Sequence, residues 1–96
     1  MKTYNLEDCS RNIKTLNLNW EYKINGIYKE FIFNDFKEAI NFINQVGKVA
    51  ETEKHHPKWS NLYNKVHVYL TTHDFNGITD KDFNLAIKID QIFSKF

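Results

Sequence analysis

Asp35-Phe-Lys-Glu38-Ala-Ile-Asn-Phe-Ile-Asn-Gln-Val-Gly-Lys-Val-Ala-Glu51-Thr-Glu-Lys-His55-His56-Pro57 decides the architecture. Phe36, Ala39, Ile40, Ile43, Val46, Gly47 and Ala50 recur at the three- and four-residue intervals of one helix face. Asp35, three residues before Glu38, forms a variant capping box, in which side chains serve the N–H groups that a first turn leaves unpaired. Pro57 disfavours helical geometry at His56, so the helix is expected to stop close to His55. A long helix in the middle of a short chain must bury its stripe against something. The flanking segments offer two hairpins for that purpose.

Upstream, Leu6, Cys9, Ile13 and Leu16 keep helical spacing and predict a short helix over 5–17. Trp20, Tyr22 and Ile24 then alternate with Glu21 and Lys23, the pattern of a half-buried strand. Asn25-Gly26 signals a type I′ turn, and a returning strand runs from Ile27 to Phe33. Downstream, Trp59-Ser-Asn-Leu, a tight Tyr63-Asn64 connection and Lys65 to Thr72 read as a second hairpin. Val66, Val68 and Leu70 share one face, and His67, Tyr69, Thr71 and His73 the other. Gly77 breaks the chain. Thr79 with Asp82 caps a last helix striped by Leu85, Ala86, Ile89, Ile92, Phe93 and Phe96. The expected fold is a single α+β domain over 1–96. It is a two-layer sandwich of order α-β-β-α-β-β-α, with a four-stranded antiparallel sheet and helices on one face.

Ninety-six residues make one domain, near the small end of what folds alone. Eight Phe, five Tyr and two Trp give large apolar faces for such a chain, enough to expect some burial between subunits. A net charge of +1 offers no general attraction to nucleic acid or anionic lipid, and Arg11 is the only arginine. Cys9 stands alone, so no intrachain disulfide forms. No run approaches the roughly 18 apolar residues of a membrane span, and the first residues lack a signal-peptide pattern. A cytoplasmic protein is expected.

All four histidines fall within His55 to His73, and three of them, His55, His56 and His73, are flanked by Glu51 and Asp82. Imidazole alone has an ordinary pKa, about 6.5, close to neutral pH, so converging histidines can donate and accept protons without a cofactor. Each residue also has a plainer reading. His55 and His56 sit at a helix exit, where histidine interacts with terminal carbonyls and the dipole. Glu51, one turn before His55, reads as a solvated helix glutamate or as an imidazole partner. Asp82 reads as a capping residue. Trp59 and Tyr63 read as core or interface, or as surfaces for a flat heterocycle. His67, inside a strand, reads as a packed or interface histidine. The pattern suits a metal poorly: adjacent histidines on extended backbone point apart, and no His-x-His or His-x-x-x-His pair occurs.

The order Glu51, three residues, His55-His56-Pro57, five residues, Tyr63, nine residues, His73, eight residues, Asp82 resembles the signature of the pterin-4a-carbinolamine dehydratases. Phe31-Ile-Phe33-Asn-Asp-Phe36, Asn61-Leu-Tyr63-Asn-Lys-Val-His67-Val and Gly77-Ile-Thr79-Asp-Lys-Asp82 extend the resemblance over nearly the whole chain. It implies dehydration of 4a-hydroxytetrahydropterin to quinonoid dihydropterin in tetrahydrobiopterin recycling, with no cofactor and no metal. It implies that His55, His56 and His73 line the pterin pocket as the catalytic residues. From imidazole chemistry, His55 and His73 are expected to be the acid/base pair, in either order, and His56 to hold the pterin. Glu51, Trp59, Thr71, Thr72 and Asp82 are the implied substrate-binding residues. It further implies a homodimer or homotetramer, and no nucleic-acid or membrane partner. Lys54 departs from the Asp common in animal members, and an ammonium there is expected to depress nearby imidazole pKa values. An alternative role follows from the same resemblance: a non-catalytic interaction module, such as a transcription-factor dimerisation cofactor or an assembly factor.

Overall fold

The computed structural model describes residues 2–96. Its elements are α1 (Leu6–Thr15), β1 (Glu21–Lys23), β2 (Gly26–Ile32), α2 (Phe36–Glu53), β3 (Lys58–Leu62), β4 (Lys65–Leu70) and α3 (Asp80–Phe93), with a single 3₁₀ turn at His73–Phe75. The strands form one antiparallel sheet of order β1-β2-β4-β3. The expected α+β sandwich is therefore present. The helices cover one face, where Ile27, Phe31, Val66, Val68 and Leu70 are buried.

α2 ends as the sequence predicts, and the detail matters for the site. Lys54 adopts the left-handed conformation (φ 54). Its N–H bonds Glu51 O at 3.2 Å, and the N–H of His55 bonds Ala50 O at 3.0 Å. This is a Schellman closure, which satisfies the last carbonyls of the helix and throws His55 off its end at a fixed angle. At the other end Asp35 accepts from the N–H of Glu38, while Glu38 Oε1 accepts from the N–H of Asn34 rather than Asp35.

The buried stripe of α2 is Ala39, Phe42, Val46 and Ala50. Phe42, outside the stripe read from the sequence, is central: its ring meets those of Phe31 and Phe33, each at 4.9 Å between centroids. Phe36, inside that stripe, is 49% exposed. Phe93 and Phe96 close on the same cluster, at 5.4 and 5.3 Å from the Phe33 ring. The apolar C-terminus thus leans on the chain's own core, while Phe96 stays 40% exposed.

The first hairpin differs by one residue from the sequence reading. Lys23 pairs with Gly26, so the turn is Ile24-Asn25, and these two carry the positive φ values (45 and 59) of a type I′ turn. Gly26 serves another need. A Cβ there would meet the Tyr69 ring, with Tyr69 Oη only 2.5 Å away. Only a glycine lets that ring lie across the strand.

Candidate active site

The Schellman end of α2, the end of β4 and the first turn of α3 meet at one rim of the sandwich. They enclose a cleft of about 290 Å³ lined by His55, His56, Thr71, Thr72 and His73, with Lys54, Asp74 and Lys81 at its margins.

Asp82 is the buried centre behind this cleft, fully inaccessible in the third position of α3. Its Oδ2 accepts from the Thr79 N–H (2.9 Å) and the Thr72 hydroxyl (2.8 Å), and its Oδ1 lies 2.6 Å from His55 Nε2. Thr72 Oγ1 and Thr79 Oγ1 are 2.6 Å apart. Because the Thr72 proton goes to Asp82, the Thr79 hydroxyl donates to Thr72. The capping reading and the site reading of Asp82 are both satisfied: one oxygen caps α3, and the other holds an imidazole.

The His55 ring is therefore oriented by its partner. Nε2 carries a proton and donates it to Asp82, which leaves Nδ1 as the lone-pair nitrogen of the neutral ring. His55 Nδ1 has no hydrogen-bond partner among the described residues, and it is not sealed from solvent. A proton acceptor thus faces outward at the cleft, backed by a buried carboxylate.

His56 is exposed, and its Nε2 lies 2.8 Å from Glu51 Oε1. His73, expected at a strand end, opens the 3₁₀ turn, exposed and bonded to no side chain among the described residues. Thr71 Oγ1 donates to Asn25 O at 2.8 Å. Trp59 is not brought into the cleft. It pairs with Val68 on the helix-covered face of the sheet, and its indole lies beside Gly47 of α2. Glu51 reaches the cleft only through His56; with Trp59 it borders a separate, open depression along α2. Among the described residues no three His, Cys, Asp or Glu side chains converge as a metal-ligand set.

Sequence reasoning missed Thr79 as part of the site, although its capping spacing to Asp82 already implied contact. It also missed Lys81 and Asp74, which carry no motif of their own. Burial pushes the Cys9 thiol, at the foot of α1, up to about 11, with the Asp82 charge adding to the effect.

A sheet-and-helix sandwich with a histidine cleft backed by one buried carboxylate defines a domain suited to proton transfer on a small molecule. The chain belongs to the pterin 4 alpha carbinolamine dehydratase family, whose model matches residues 2–92. A provisionally named pterin-4-alpha-carbinolamine dehydratase of Sulfurisphaera tokodaii is 53% identical over 75 residues, 78% of this chain and 81% of the relative. A like-named protein of Prochlorococcus marinus is 41% identical over 99% of this chain and 100% of its own length. The crystal structure of a transcriptional coactivator/pterin dehydratase from Brucella melitensis superposes with a TM-score of 0.88 at 33% identity, covering 95% of this chain and 98% of that one. A pterin dehydratase-like RuBisCO assembly factor of the alpha-carboxysome shares the fold, with a TM-score of 0.65 at 16% identity over 78% of this chain and 87% of its own. No helix among the described residues is long and apolar enough to cross a membrane.

Proposed function

We propose that this chain dehydrates pterin-4a-carbinolamines to quinonoid dihydropterins, as in tetrahydrobiopterin recycling, with His55 as the base and His73 as the acid. One observation carries the order of the pair. Asp82 fixes the Nε2–H tautomer of His55 (2.6 Å), so the nitrogen facing the cleft is an acceptor. His73 has no such partner and is open to solvent, from which it can recharge.

Water leaves from C4a only if its oxygen gains a proton and the electron pair of the N5–H bond becomes the C4a=N5 bond. His55 Nδ1 takes the N5 proton, and the resulting imidazolium is stabilised by Asp82. An imidazolium at His73 protonates the leaving hydroxyl, so the C–O bond breaks with neutral water as the product. Each positioned proton transfer contributes typically about 10²–10⁴-fold. His56, braced by Glu51, holds the pterin ring, with Thr71 supplying a polar edge, Thr72 acting through Asp82 and Asp82 through His55. Trp59, directed to α2, has no part in this scheme.

The test is the decay of 4a-hydroxytetrahydropterin absorbance with and without purified protein, before and after chelator treatment. A rate above the spontaneous one, unchanged by chelator, is expected. Folded protein with only the spontaneous rate would overturn the proposal and favour the interaction role.

A further inference from the structure

On the open face of the sheet, away from the helices, lies a second space of about 370 Å³. Tyr28, Tyr69 and His67 form its floor, Ile24 one wall, Trp59 and Ser60 of β3 the opposite side, and Lys23 and Lys58 its charged margins. The Tyr28 and His67 rings are nearly parallel, 10° apart in plane, with centroids 6.2 Å apart. Lys23 Nζ hovers 4.7 Å from the Tyr28 ring centre. Neither Lys23 nor Lys58 is in an ion pair among the described residues. The nearby Glu30 carboxylate is engaged by His67 at 2.7 Å.

This space adjoins the histidine cleft. Lys58 pairs with Tyr69 across β3 and β4. Two positions before Lys58 stands His56 and two after Tyr69 stands Thr71, just beyond the ends of β3 and β4, and both line the cleft. Alternate residues on a strand are about 7 Å apart, so the two spaces lie end to end on one surface. A shared wall ties them together. The Tyr69 hydroxyl donates to Ile24 O and the Thr71 hydroxyl to Asn25 O, so one residue of each space holds the same turn. Ile24 is β-branched, 80% exposed and at φ 45. That conformation is unfavourable for such a side chain and persists only where neighbours impose it.

We propose that this second space is the outer half of the substrate site and takes an aromatic, carboxylate-bearing side chain carried on the pterin, a pteroylglutamate-type substituent. The inference rests on the pterin dehydratase reading above. With the pterin ring in the histidine cleft, its C6 substituent extends past His56 and Lys58. The aromatic ring of the substituent lies on Tyr28 and Tyr69, and its carboxylates meet Lys58 and Lys23. Two lysines without a single arginine match one or two carboxylates, whereas tracking a nucleic-acid backbone takes many phosphate contacts.

Two measurements decide it. Equilibrium titration with folic acid and with 6-hydroxymethylpterin needs no turnover. Folic acid is expected to bind about tenfold more tightly, the equivalent of 1.4 kcal/mol. Lys58→Glu and Lys23→Glu, both surface charge reversals, are expected to reduce that ratio, with circular dichroism checking the fold. Equal dissociation constants, or a ratio unmoved by either variant, overturn the outer site. Turnover of 4a-hydroxytetrahydrofolate against 4a-hydroxy-6-methyltetrahydropterin separates the two readings. Turnover of the short substrate with no preference for the long one sinks the outer site alone. Preferential folic acid binding with no turnover of either substrate keeps the site and sinks the dehydratase reading.

Discussion

His55 Nε2 and Asp82 Oδ1 stand 2.6 Å apart, joined from elements that begin and end 27 residues from each other. The pair exists because two helix ends meet. The Schellman closure at Lys54 ejects His55, and the Thr79 cap sets Asp82 beneath it. The two bonds to the other carboxylate oxygen decide what a change at Asp82 does. Thr79 N–H and Thr72 O–H can donate only to an oxygen, so in Asp82→Asn the amide oxygen stays with them. The amide NH₂ then faces His55 Nε2 and forces the ring proton onto Nδ1. The cleft loses its acceptor while the cap survives. Asp82→Asn is expected to lower turnover by about 10²–10⁴-fold with little loss of stability. Asp82→Ala loses the cap and leaves His55, Thr72 and Thr79 without their partner, at a cost of about 3 kcal/mol or more. Urea midpoints and single-turnover rates distinguish the two variants. Equal destabilisation of Asn and Ala would show that the cap oxygen is not the one assigned.

His55→Ala and His73→Ala are expected to reduce kcat more than they weaken pterin-analogue binding, the mark of groups that act in the transition state. His56→Ala is expected to raise the analogue Kd as well, because its ring is braced by Glu51 for contact with the ligand. Near-normal turnover in both the His55 and His73 variants would remove the proposed pair. Trp59→Phe is expected to leave turnover within about threefold of the parent, since its indole packs beside Gly47.

Much of this was legible in the sequence because short-range patterns dictated it. The alternation Val66-Val68-Leu70, the Pro57 stop and the Thr79–Asp82 spacing each specify local geometry that the sheet then preserves. What escaped depended on contacts made across the chain. Phe42 keeps helical spacing with Ala39 and Val46, but its central place in the core comes from Phe31 and Phe33 opposite it. The hairpin turn moved to Ile24-Asn25 because Tyr69, far along the sequence, needs Gly26 within the strand. Lys81 and Asp74 reach the cleft through placement alone, with no spacing to announce them. Trp59 was drawn toward the site by the resemblance, but strand alternation opposite Val68 sends it to the helix face.

Alkaline stability offers a separate test. The Cys9 thiol, ordinarily at 9.0, is pushed up to about 11 by burial and by Asp82. The Tyr4 hydroxyl donates to Asp80 at 2.5 Å and is pushed from 10.0 to about 12. Both groups hold their protons longer in the folded state. Their stabilising effect is therefore full below pH 9 and is lost as pH rises toward 11 and 12, because the unfolded chain ionises first. The Cys9 thiol contributes a slope of up to about 1.4 kcal/mol per pH unit within its window, and the solvent-screened Tyr4 hydroxyl much less. Urea midpoints should fall between pH 8 and 10.5, and Cys9→Ala should flatten the curve while lowering it at every pH. Parallel curves for the parent and Cys9→Ala would refute the thiol's part.

Assembly is the last prediction. β3 is an edge strand, paired only with β4, so its outer N–H and C=O groups are open to a second strand. Beside that edge the outer face carries Ile32 and Leu62, 55% and 70% exposed, which flank Lys65 in register. Such apolar side chains on an open sheet favour a partner, and we propose a homodimer or homotetramer built with this edge. Phe93 is half-buried and Phe96, though 40% exposed, sets its ring against Phe33 and Phe42, so deleting Ser94 to Phe96 should lower the melting temperature and leave the assembly mass unchanged. Leu62→Lys should do the reverse, shifting mass toward 11.5 kDa with the fold intact. Light scattering coupled to size exclusion reads both. A parent mass near the monomer at every dilution would reject assembly. An assembled Leu62→Lys together with a monomeric C-terminal deletion would move the interface from the sheet edge to the helix end.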